Sequence, residues 1–109
     1  MLALAACAPP ANESSREAAQ RSTTATHSAM RSCRMAFSQS ECACVERVLS
    51  ASDFDLASRL FEIQAQDLSA EEKQYRSRAL VSETLGSDFG RLSSFSRGLD
   101  LIKRQCGVQ

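Results

Sequence analysis

At 109 residues, with 13 basic and 13 acidic side chains and a formal charge of zero, the chain makes one small domain at most. It carries no net field to draw nucleic acid: Arg31, Arg34, Arg91, Arg97 and Arg104 are scattered among acidic neighbours rather than gathered in a stripe. No run of about 20 apolar residues is present to cross a bilayer as a helix. Five cysteines in so short a chain point to an oxidising compartment or a metal site.

The chain opens MLALAACAPP. An aliphatic residue, two small ones and a cysteine, Leu4-Ala5-Ala6-Cys7, resemble the lipobox of bacterial lipoproteins. In that family the cysteine thiol receives a diacylglyceryl group and a dedicated peptidase cuts just before it. The resemblance makes Cys7 the lipid-attachment residue and residues 1–6 the remnant of a signal peptide. Only Met1, Leu2 and Ala3 precede the box, whereas such leaders carry a basic end and an apolar run of about 7–15 residues. Cysteine parity agrees with the resemblance, since an even four remain once Cys7 is set aside. Ala8 rather than Asp follows Cys7, which by the family's sorting rule implies the outer membrane, facing the periplasm. A soluble periplasmic protein is the alternative. Residues 7–26 bring Pro9-Pro10, then Ser, Thr, Ala and alternating charge without apolar periodicity, and read as a flexible, disordered tether.

From residue 27 to 109 the spacing becomes helical. Met30, Cys33 and Phe37 recur at i, i+3 and i+7. Ser38 and Glu41 form a capping-box pattern that opens a second helix over about 39–50. Ser52, followed by Asp53 and Asp55, predicts the start of a third over about 53–66. Ser69 and Glu72 repeat the box ahead of a helix that Gly86 closes. Phe89, Leu92, Phe95, Leu99, Ile102 and Cys106 mark one face of a last helix, with Gly107 as its C-cap. No stretch alternates as a strand would. The fold class is all-α: a small bundle of four to five helices with short connections, so that neighbours run antiparallel. Gly98 inside the last helix costs roughly 1 kcal/mol against Ala and either admits a close neighbour or marks a kink. The helix at 70–85 has no coherent apolar face and is expected to be the most exposed.

Cys42 and Cys44 both fall on the second helix. At about 100° per residue they point roughly 160° apart, so they can neither bond each other nor share a metal without unwinding the backbone. Each is expected to staple a different neighbour, Cys33 on the first helix and Cys106 on the last. Both 33–42 with 44–106 and 33–44 with 42–106 remain open. The long bridge is worth roughly 4 kcal/mol and the short one nearer 3 kcal/mol by chain entropy. That is support which a thin core of about 80 residues needs. A Cys₄ metal site fits poorly, because zinc motifs place C-x₂₋₄-C pairs on turns. A redox pair fits poorly too, because Glu41 and Glu46 disfavour a thiolate.

Catalytic groups are not apparent. His27, the one histidine, stands at the tether boundary, away from any apolar face. Asp53, Asp55, Glu71 and Glu72 read as first-turn helix charges, and the DFG string at 88–90 has no accompanying nucleotide loop. No enzyme activity, cofactor, metal or small-molecule substrate is therefore expected. The third helix is instead unusually apolar. Phe54, Ala57, Phe61, Ala65 and Leu68 make one stripe and Leu56, Leu60 and Ile63 a second, together about 200° of the wheel where about 100° suffices. Either this helix is central, or Leu56, Leu60 and Ile63 line a groove that takes the amphipathic helix of an envelope protein. Small helical pilotin lipoproteins of secretion systems are similar in size, anchor and layout. That resemblance implies a lipid-anchored, non-catalytic binding or escort module. The alternatives are a stress-protective periplasmic holdase, and a thiol-redox or Cys-metal protein.

Overall fold

The computed structural model describes residues 27–108. Cys7, expected to be the lipid-attachment residue, and residues 8–26, expected to be a tether, lie outside the described residues. Those described form an all-helical, disulfide-stapled bundle with no strand among them. The helices are α1 over 27–34, α2 Gln39–Val48, α3 Ala51–Ala65, α4 Ala70–Leu85 and α5 Phe89–Cys106.

Each start is set by a side chain that satisfies a free amide of the first turn. For α2 the box is reciprocal: Ser38 Oγ accepts from the Glu41 amide at 3.2 Å, and the Ser38 amide donates to Glu41 Oε1 at 2.9 Å. Hydrogen bonding from Ser38 to the carboxylate, from its amide first and its hydroxyl second, holds the Glu41 carboxyl below the usual glutamate range. For α3 the cap is Ser50, not Ser52. Ser50 Oγ accepts from the Asp53 amide at 3.3 Å, and the helix begins two residues earlier than its sequence suggests. Both serines have an acid three residues on, so local chemistry does not separate them. Tertiary packing does: with Ser50 as cap, Leu49 and Phe54 take the two positions of a hydrophobic staple, and both are buried in the core.

Ser69 caps α4 through the Glu72 amide at 3.1 Å. The return half of that box is missing, because the Glu72 carboxylate instead accepts from Arg76 Nε at 2.9 Å. Asp88 opens α5, accepting from the amides of Gly90 and Arg91. Gly86 and Gly107 end α4 and α5 with φ of +63° and +71°, a backbone region that favours glycine. Behind Gly107, Val108 folds back into the core at 1% exposure.

The core gathers Ala29 and Cys33 from α1, Cys42 and Val45 from α2, Phe54, Leu56 and Ala57 from α3, and Phe95 and Ile102 from α5. Helix α2 packs mainly on α5, and α3 mainly on α4. Two disulfides join Cys33 to Cys42 and Cys44 to Cys106, with Cα atoms 5.9 and 5.7 Å apart. Of the two pairings open in the sequence, this is 33–42 with 44–106. Gly98 is resolved as a close-packing residue: a Cβ there would stand 2.9 Å from Leu49 Cδ2. Phe37 lies beyond the end of α1, where its ring meets Phe61 edge-on with centroids 4.9 Å apart.

Candidate functional site

Helix α4 buries Leu85 alone. It rests on α3 through Lys73 Nζ, which donates to the Gln64 carbonyl at 2.9 Å, and through Gln64 Nε2 on Ser77 Oγ at 3.5 Å. Helix α5 leans on α3 from the other side, and α4 and α5 barely touch. The divergence leaves an apolar groove of about 520 Å³ with Leu60 of α3 as its floor. Val81 stands on one wall; Leu92, Phe95 and Leu99 stand on the other, and Gly86 is at the turn. A second hollow continues it, sharing Leu60 and Leu99 and adding Phe61, Ile102 and Val108. A third, lined by Met35, Ala36 and Phe37, shares Phe61 and Gln64 with the second. The three hollows adjoin in series, a trough that runs from the α4–α5 turn to the α1–α2 connection and is most apolar in its first two parts.

Arg78 on the α4 wall and Lys103 on the α5 wall are the charged side chains lining the first two hollows; no carboxylate lines either. Two large aromatics stand in solvent beside the trough. Tyr75, 71% exposed, shares a face of α4 with Arg78 and Ser82 at i, i+3 and i+7, and Phe89, 87% exposed, shares one of α5 with Leu92 and Ser96.

The residues expected to form a docking stripe do not stay together. Leu60 is the floor of the groove. Leu56 is a correction: at 1% exposure it is core, because neighbours cover a wide arc of the first half of α3, burying Phe54, Leu56, Ala57 and Ser58, while Ser52 and Arg59 keep the remaining face in solvent. Ile63 is half-buried and lines none of the three hollows. Phe89 is a second correction. It belongs to the expected apolar face of α5 by spacing, yet it sits at the first helical position beyond the reach of the core.

The residues missed for the site are Val81, Leu92 and Leu99. A signal for two of them was present in the width of the α5 stripe. Phe95, Ile102 and Cys106 cluster within about 40° of the wheel, while Leu92 and Leu99 fan away from them toward α4. The four cysteines among the described residues are all disulfide-bonded, and no three potential ligands there gather as a metal site would need. His27 is exposed.

Comparison with protein-family models, with curated proteins and with solved structures gave no match.

Proposed function

We propose that this chain is a helical binding module that holds an apolar segment of another envelope protein in the trough between α4 and α5, carried at the membrane by a lipid on Cys7. The observation that carries the binding role is the trough itself. Leu60, Val81, Leu92 and Leu99 stay only half-buried around an open groove, and contiguous apolar surface of this kind marks an interaction site. Its lining offers apolar contact and two cations rather than paired acid and base groups, which suits binding better than catalysis. The membrane address rests on the resemblance of Leu4-Ala5-Ala6-Cys7 to a lipobox.

The binding role is tested by placing a photo-crosslinking amino acid at Ser82 or Ser96, exposed positions on opposite walls, and at Ser94, exposed on the far side of α5. In cells, Ser82 and Ser96 should yield the same adduct and Ser94 none. Equal labelling from all three positions would overturn the groove. The anchor is tested by labelling with a fatty-acid analogue: incorporation should vanish in Cys7→Ser, and label that persists would remove the anchor.

A further inference from the structure

We infer that the occupant of the trough is an amphipathic α-helix whose apolar stripe is flanked by acidic residues. This inference rests on the groove reading above and adds the chemistry of the partner.

Length comes first. From Leu92 to Lys103 the α5 wall runs twelve residues, about 16 Å at 1.5 Å per step. Three turns of a docked helix cover that distance and present apolar residues at i, i+3 or i+4, and i+7 to the floor. The trough is open along its length, so an occupant leaves one side in water, as the polar face of an amphipathic helix does. An acyl chain has no such face and prefers a site that encloses most of it.

Charge narrows the choice further. Arg78 borders the first hollow from α4, and Lys103 borders the second from α5. Of the acidic positions nearest by spacing, Glu71 lines a separate hollow that Arg78 and Tyr75 also border, and Asp100 lines none, so neither carboxylate enters the lining around Leu60. Carboxylates bordering a docked stripe meet both cations. A second copy of this chain, packed trough to trough about a two-fold axis, would instead set cation-bordered lining against the same cation-bordered lining, with no carboxylate to answer either charge, an arrangement that costs association. Tyr75 and Phe89, exposed on the helix faces that carry Arg78 and Leu92, offer further aromatic surface to a docked helix.

The test uses the oxidised full-length chain and fluorescein-labelled 14-residue peptides. Each has leucine at i, i+4, i+7 and i+11, and the flanks are all Glu, all Gln or all Lys. Anisotropy titration at low salt should show the Glu peptide binding at least tenfold more tightly than the Lys peptide, with Gln between them. The ratio should shrink as salt is raised. Arg78→Glu combined with Lys103→Glu, both at exposed positions, should invert the order. Ser96→Trp, which fills the groove from an exposed site, should abolish all binding without lowering the melting temperature. Equal affinity for the three peptides, all lost in Ser96→Trp, would leave the groove standing and overturn the acidic partner. Binding of no peptide, or binding indifferent to Ser96→Trp, would overturn both. Sedimentation showing a dimer that Ser96→Trp dissociates would give the trough to a second copy. Displacement of the Glu peptide by micromolar palmitate would give it to an acyl chain; either result sinks the inference.

Discussion

Ser58 is fully buried in α3, and its hydroxyl has no hydrogen-bond partner. Replacing it with alanine should therefore stabilise the protein, against the usual direction of core substitutions. A buried polar group without a partner costs about 1–3 kcal/mol, and serine in a helix interior costs up to about 0.7 kcal/mol against alanine. Loss of one oxygen leaves a void far smaller than a methyl group, worth only a few tenths of a kcal/mol at about 24 cal/mol per Å³. The net expectation for Ser58→Ala is a gain of about 1–2 kcal/mol, near 4–16 °C for a domain of this size. Ser96→Ala isolates the propensity contribution, because Ser96 is exposed on α5. The assay is urea unfolding of both variants beside wild type, with unchanged slopes required for the comparison. If Ser58→Ala gains no more than Ser96→Ala, burial of the hydroxyl carries no cost. If it loses stability, the hydroxyl donates a bond that α3 depends on, and the reasoning fails.

Other expectations follow from burial, loop length and capping. Leu56→Ala should cost about 2–5 kcal/mol as a core truncation, and Ile63→Ala at its half-buried site about 1 kcal/mol; urea midpoints in the opposite order would refute the core assignment of Leu56. Sequence separations of 9 and 62 give the two disulfides about 2.6 and 4.3 kcal/mol by chain entropy. Their sum rivals the whole stability of a typical domain, so full reduction should leave the chain largely unfolded by circular dichroism. Retention of its cooperative melt would overturn that estimate. The Glu41 carboxyl is held low in the folded state, so its contribution is present above the ordinary glutamate pKa and is lost as pH falls through the lowered value. Glu41→Gln should accordingly flatten the acid limb of the melting-temperature profile, and an unchanged limb would show that the cap is not coupled to folding.

What was legible in the sequence was local. Ser38 with Glu41, Ser69, Gly86 and Gly107 act within a turn of their own position, and each ends or starts a helix where spacing places it. The orientation of Cys42 and Cys44 was legible for the same reason, because one helix holds both. The rest depended on which surfaces other elements cover. Ser50 prevails over Ser52 only because Leu49 has a core to enter. Leu56 reads like Leu60 on a helical wheel, but one is sealed and the other floors a groove, according to how much of α3 its neighbours reach. The groove comes from the divergence of α4 and α5, a relation between two helices that share a turn and almost no packing.

The placement of Cys44 two residues past Cys42 bears on how the chain chooses its bridges as it is made. Cys33 lies 9 residues from Cys42, whereas Cys106 lies 62 beyond Cys44, so closure of short loops is sampled for an interval before the distant cysteine competes. During that interval Cys33 meets two candidate partners, and loop entropy favours the correct one by only about 0.2 kcal/mol. An extended chain would pair nearly at random. Once α2 forms, the two thiols face opposite ways, and only one is turned toward α1. The capping box at Ser38 and Glu41 thus acts as an editor of oxidation as well as a helix start. Peptide mapping after oxidative refolding checks this: Ser38→Gly with Glu41→Ala should raise the 33–44 fraction, and an unaltered ratio would show that selection comes later, from the closed bundle.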